Sequence, residues 1–263
     1  MVSYRKHKGV FPTKPCQNKT VILTGAGAGM GQEAAFLFAS EGANVVVNSL
    51  SASAQKTCQE IRRSGGSAIF VQGDVGREAD CQRIIQAAVE TFGQIDILVN
   101  AAGVVPGGSV ETASLEDWDA AMDTNVKGVF LMCRLAMPHL RQTKGSIVNI
   151  ASTVAIKGVA NRAIYSATKG AVLSLSRSMA AEYVSEGIRV NCVSPGTVYS
   201  PSFQRRVDAS PDPELAMRQF IARQPMGRLG TAQEVAKAIV FAAGAEVGFM
   251  TGANIVVDGG MTV

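Results

Sequence analysis

The stretch Lys19–Leu50, KTVILTGAGAGMGQEAAFLFASEGANVVVNSL, decides the fold. Val21 to Leu23 make a short apolar strand, and Gly25, Gly27, Gly29 and Gly31 make a turn. Gln32 to Ser40 begin a helix with an apolar face. Gly42 punctuates, and Val45 to Val47 supply a β-branched run suited to a buried parallel strand. The unit is β-turn-α-β. Glycine lets the backbone come close to a ligand. The helix behind the turn aims free N–H groups and its positive dipole end at the turn, where a pyrophosphate fits best.

Outward from that unit, strand and helix keep alternating. Ser53 to Arg63 read as helix and Ala68 to Val71 as strand, running to Asp74-Val75. Cys81 to Phe92 are helix, and Ile95 to Val99 are a strand entering Asn100-Ala101-Ala102-Gly103. Leu115 to Met137 read as one long helix containing Asn125, and Ser146 to Ile150 as a strand that delivers Ser152. A helix with Tyr165 and Lys169 follows, then a strand over Ile188–Val193 and the turn Ser194-Pro195-Gly196-Thr197. Ala232 to Ala243 are the last helix and Asn254 to Val257 the last strand. The pattern predicts an α/β fold: a single Rossmann-like, doubly wound domain with a mostly parallel seven-stranded sheet and helices on both faces. Residues 1–18 form a basic N-terminal extension, 19–263 the domain, and the polar, Pro-punctuated segment 199–226 a mobile helical lid.

Composition agrees with a soluble cytoplasmic protein. The 263 residues are 47% hydrophobic, enough for a full core, with no membrane-length apolar run and no signal peptide. Cys16, Cys58, Cys81, Cys133 and Cys192 are scattered, and His7 and His139 lie far apart, which argues against disulfides and against a metal site. The net charge is +4, but Arg5, Lys6, Lys8, Lys14 and Lys19 all precede residue 20. The body is near neutral, so neither nucleic acid nor membrane is an expected partner.

The chemistry centres on STVAIKGVANRAIYSATK, Ser152 to Lys169. On a helix, Tyr165 and Lys169 share one face about 6 Å apart. An ammonium beside a phenol favours the phenolate; lowering its pKa by roughly 3 units takes about 4 kcal/mol. Such a tyrosine exchanges a proton with an alcohol or ketone near neutral pH. The glycine turn, Asp74, Asn100, Ser152 and Pro195-Gly196 all fall at carboxyl ends of strands, where such folds bind ligands. The second strand ends in Asn48-Ser49-Leu50, with no carboxylate to repel a 2′-phosphate and no immediate Arg or Lys. Between the dinucleotides this leans to NADP over NAD.

Together, Thr24-Gly25-x-x-x-Gly29-x-Gly31, Asn100-Ala101-Ala102-Gly103, Asn125, Ser152, Tyr165-x-x-x-Lys169, Ser194-Pro195-Gly196-Thr197 and Asp258-Gly259-Gly260 resemble the short-chain dehydrogenase/reductase family over residues 18–263. One departure is Ala101, where the family commonly has a second Asn. The resemblance implies an oxidoreductase acting on CH–OH groups with NAD(P). Tyr165 would be the general acid/base, Lys169 its partner and ribose ligand, Ser152 the holder of the substrate oxygen, and Asn125 the support of a proton relay. Gly25, Gly29, Met30, Gly31, Ser49, Asp74, Val75, Asn100, Ala101, Gly103, Pro195, Gly196 and Thr197, with Tyr165 and Lys169, would bind the cofactor. A homotetramer is also implied, and apolar Phe249, Met250 and Ile255 suit a subunit interface.

From Lys157 onward the chain is similar to two subgroups, 2-keto-3-deoxy-L-fuconate dehydrogenases and cytosolic-type 3-hydroxybutyrate dehydrogenases. Both take small hydroxy acids, and a carboxylate wants an arginine fork. Arg162 and Arg206 are the candidates; the bland alternative makes Arg162 structural and Arg206 solvated. The Asn48-Ser49 strand end departs from the Asp usual in those subgroups. Reduction of a 3-oxoacyl group on acyl carrier protein is the alternative reaction. A non-catalytic dinucleotide sensor is a further one, though such proteins typically lose the Tyr or Lys. Cys192 and Trp118 are expected to pack, and His139 to sit at a helix end. Tyr199 and Phe203 either line the pocket or anchor the lid.

Overall fold

A computed structural model describes residues 14–263. The expected basic extension therefore lies outside the described residues except for 14–18. Strands β1 (Thr20–Thr24), β2 (Asn44–Ser49), β3 (Ser67–Gln72), β4 (Ile97–Asn100), β5 (Ser146–Ile150), β6 (Arg189–Pro195) and β7 (Asn254–Val257) form one sheet in the order β3-β2-β1-β4-β5-β6-β7. Every pairing is parallel, so the sheet is parallel throughout, where the sequence suggested mostly so. Helical crossovers between successive strands account for this. The helices are α1 (Gly29–Ser40), α2 (Ser53–Arg63), α3 (Glu78–Phe92), α4 (Leu115–Ala121), α5 (Gly128–Thr143), α6 (Ala163–Tyr183), α7 (Pro201–Asp208), α8 (Pro213–Ala222) and α9 (Ala232–Ala243).

The central strand shows why its sequence is apolar without a break. Val21 and Leu23 join one core with Phe38 and Ile239, while Ile22 joins the other with Ile84 and Leu140. Alternate side chains thus enter opposite layers, and both layers are dry. Strand order reverses between β1 and β4, where Thr24 pairs with Asn100. A crevice opens at the carboxyl ends of such a pair.

Three expectations need correction. The single helix over Leu115–Met137 is α4, then a π-helical turn over Met122–Lys127, then α5 running on to Thr143. Pro138 lies inside α5, and His139 is in its body instead of at its end. An internal proline costs a helix one hydrogen bond and a steric contact; burial of Met137 at 5% and Leu140 at 0% exposure offsets that cost. Trp118 is 42% exposed and does not complete the core. Cys192, by contrast, is buried in it.

Leu140→Ala is expected to lower unfolding free energy by about 2–5 kcal/mol through the cavity it leaves, read as a shifted urea midpoint.

Candidate active site

Lys169 is nearly fully buried in α6, and its Nζ donates to the carbonyl of Ile150, the last residue of β5, at 2.7 Å. That bond fixes the helix against the strand end. One turn earlier on the same helix, the Tyr165 ring centroid lies 5.7 Å from Nζ. Ser152, two residues beyond β5, is buried, and its hydroxyl accepts from the Val154 N–H at 3.4 Å. Ser152 and Tyr165 share the wall of a cavity of about 140 Å³.

Burial brings the Lys169 ammonium down to about 8. Burial also pushes the Tyr165 phenol above its ordinary value. The Ser152 hydroxyl and the positive charges of Arg206 and Arg162 pull the other way. The two arginines thus join the Lys169 ammonium as cations near the phenol. Tyr165 and Lys169 lie on one face of α6 as their spacing predicts, while burial works against the lowered phenol pKa that the spacing suggests.

Arg162, at the start of α6, lines the Ser152–Tyr165 cavity, as do Arg206 of α7 and Arg223 just beyond α8. Arg162 donates to the Asn161 carbonyl at 2.7 Å. The Arg206 guanidinium lies 5.8 Å from the Phe203 ring centroid, and Arg223 lies 4.5 Å from that of Phe220. Among the described residues none of the three has a carboxylate within ion-pair distance. The buried Nε of Arg206 has no hydrogen-bond partner among the described residues. Burial lowers the pKa of all three, and their mutual repulsion adds to the effect at Arg206 and Arg223. An anion placed among them would relieve both penalties.

Beside this cavity runs a cleft of about 210 Å³ lined by Gly25, Gly29, Met30, Gly31, Ala101, Gly103, Tyr165, Lys169 and the start of α7. A Cβ at Gly25, where φ is +66°, would stand 2.6 Å from the Ala102 nitrogen, and one at Gly31 would stand 2.4 Å from the Gly25 carbonyl oxygen. Only glycine permits this turn. The Thr24 hydroxyl accepts from the Ala101 and Ala102 N–H groups, holding the loop after β4 against the turn. A bare backbone cradle at a helix N-terminus suits a dinucleotide's phosphates, so the residues present fit NAD(P).

Pro195, Gly196 and Thr197 line the Ser152–Tyr165 cavity. Ser49, Asp74, Val75 and Asn100 stand outside the walls of both cavities. The Ser49 hydroxyl donates to the Ser51 carbonyl and accepts from the Ala54 N–H. Asp74 accepts from the Gly76 N–H, Val75 is buried, and the Asn100 amide donates to Asn149. Asn125 is fully buried in the π-helical turn. It accepts from the Val104 N–H and donates to the Val104 carbonyl and the Thr168 hydroxyl. Gly103 separates it from Lys169: a Cβ there would be 3.1 Å from Asn125 Oδ1 and 3.7 Å from Lys169 Nζ. Phe203 is fully buried and anchors the lid, while Tyr199 is exposed.

Sequence reasoning missed Arg223 and Met261. Met261 reaches the cavity because Asp258 accepts from the Gly260 and Thr262 N–H groups, and Lys157 donates to the Met261 carbonyl. Neither residue carries a local signal: Arg223 sits among other lid charges, and Met261 follows two glycines.

A tyrosine beside a buried lysine, a serine at a strand end and a glycine cradle on a parallel sheet fit an oxidoreductase acting on a CH–OH group. Comparison with known proteins agrees. The chain belongs to the short-chain dehydrogenase/reductase family: the family model described as Enoyl-(Acyl carrier protein) reductase matches residues 25–262. The chain is 48% identical over 248 residues to an uncharacterized oxidoreductase of Thermotoga maritima, covering 94% of this chain and 98% of that one. It is 36% identical to an L-fucose dehydrogenase of Oryctolagus cuniculus, covering 92% and 84%. A crystal structure from Burkholderia xenovorans, assigned to the same family, superposes with a TM-score of 0.91 at 35% identity, covering 95% and 98%. Enzymes of this family use NAD(P).

Asn125→Ala is expected to cost about 1–3 kcal/mol, because it strands the Val104 backbone groups and the Thr168 hydroxyl; denaturant unfolding measures it.

Proposed function

We propose that the protein interconverts a secondary alcohol and a ketone on a small hydroxy acid or deoxy sugar acid. The observation that carries this reading is the trio of Arg162, Arg206 and Arg223, without carboxylate partners among the described residues, on the cavity wall that holds Ser152 and Tyr165. Half-buried cations without counter-ions carry a desolvation cost, and a substrate carboxylate supplies the missing charge. A cavity of about 140 Å³ favours a short acid over an acyl chain on carrier protein.

Ser152 and Tyr165 hold the reacting oxygen of the substrate. In oxidation Tyr165 takes the proton of the hydroxyl, and in reduction it returns a proton to the carbonyl. Lys169, fixed by Ile150, holds the nicotinamide ribose. Asn125 keeps the loop after β4 and the Thr168 turn of α6 in place around Lys169. The three guanidiniums orient the acid so that its carbinol carbon faces the cleft. Gly25, Gly29, Met30, Gly31, Ala101 and Gly103 hold the dinucleotide, whose nicotinamide supplies the hydride acceptor or donor.

The neutral end of β2 favours NADP. The Ser49 hydroxyl is engaged by its own turn, Leu50 is exposed, and no carboxylate is there to repel a 2′-phosphate. Five unpaired, buried thiols suit a reducing cytoplasm, and no helix among the described residues is long and apolar enough to cross a membrane. Of the expected interface residues, Met250 and Ile255 pack against the core instead; exposed Phe249, with Phe241 and with Val256 on the edge strand β7, supports a homotetramer.

A panel of 3-hydroxy acids and 2-keto-3-deoxy sugar acids, followed by nicotinamide absorbance with NAD and with NADP, tests the reaction. Tyr165→Phe is expected to lower kcat by about 10²–10⁴. Arg206→Gln is expected to raise KM for acids at least about tenfold while sparing neutral alcohols. Turnover of acyl thioesters alone would overturn the hydroxy-acid reading. Light scattering at micromolar concentration is expected to give a tetramer, and a monomer would refute that assembly.

A further inference from the structure

The lid carries two consecutive arginines that open onto different cavities. Arg206 lines the cavity with Tyr165, whereas Arg205 lines the cleft with Gly25, Gly29 and Gly31. Neighbouring residues on a helix point about 100° apart, so one short helix serves both. The start of α7 is already seated on the glycine turn: a Cβ on Gly29 would lie 3.2 Å from the Ser200 Cβ. Ser200, Pro201 and Ser202 line the cleft beside Arg205.

Arg205 is exposed, and among the described residues no carboxylate lies within ion-pair distance of it. The acid on its own helix, Asp208, accepts from Gln204 at 2.7 Å. Of the cations lining the cleft, Lys169 is held by the Ile150 carbonyl. The cradle itself contributes N–H groups without a full positive charge. Arg205 stands where that charge is missing.

We propose that Arg205 clamps the diphosphate of the bound dinucleotide, so that the cofactor seats the lid helix that presents Arg206 to the substrate. The proposal rests on the dinucleotide reading above. A guanidinium fork matches two phosphate oxygens, and its contact with a diphosphate weakens with salt.

The test is to titrate NADPH and NADH into wild type and Arg205→Gln with no substrate present, following nicotinamide fluorescence at low and high salt. The variant is expected to bind the preferred dinucleotide about tenfold more weakly, with a shallower salt dependence. Arg218→Gln, exposed on α8 and outside the cleft, is expected to keep wild-type affinity. Saturating dinucleotide is expected to slow amide hydrogen exchange in Ser202–Asp208 of the wild type but not of Arg205→Gln.

Unchanged affinity in Arg205→Gln, an equal loss in Arg218→Gln, or equal slowing of exchange in both proteins overturns the clamp. A wild type that binds neither dinucleotide refutes the cofactor reading instead. A ligand-free melt checks folding, and Arg205→Ala is read the same way if Arg205→Gln does not fold.

Discussion

The bond from the Lys169 ammonium to the Ile150 carbonyl is the constraint on which the site depends. It joins the last residue of a central strand to the first turns of the helix that follows. Ser152 continues from the strand and Tyr165 precedes Lys169 on the helix, so one 2.7 Å contact sets the distance between them. The cost is a buried cation, visible in the fall of Lys169 to about 8. A hydrophobic residue would pack there at less cost, but it would leave nothing to grip the carbonyl.

The arginines obey the opposite logic. Lys169 is satisfied within the protein, whereas Arg162, Arg206 and Arg223 line one cavity without counter-ions among the described residues. Two of them come from the lid and one from the body, so their mutual repulsion works against this arrangement, and an anion among them would relieve it. Cation–π contacts with Phe203 and Phe220 support the lid pair. Burial of Phe203 gives the lid its own anchor in the core.

The sheet was legible because its strands must be apolar on both faces, and Val21-Ile22-Leu23 states this in three letters. The spacing of Tyr165 and Lys169 was legible because helical geometry turns four residues into one face. Less could be read where a property arises only from packing. Nothing local marks Arg223 or Met261 as cavity residues, since a turn and a lid bring them in. Leu115–Met137 carries a continuous helical pattern, and sequence does not show a wide turn within it. Spacing likewise places Lys169 near Tyr165, but does not show the burial around the pair or the Ile150 carbonyl that engages the ammonium.

The π-helical turn over Met122–Lys127 has a hereditary consequence. It holds one residue more than an α-helical path would, the product expected of a single-codon insertion. Removing one of the codons before Asn125 would restore the regular winding and swing Asn125 by about 100° relative to the body, away from Val104 and Thr168. Exposed letters in this segment, such as Asp123, can be exchanged with little effect on packing. Here evolution is freer to change residue identity than residue number.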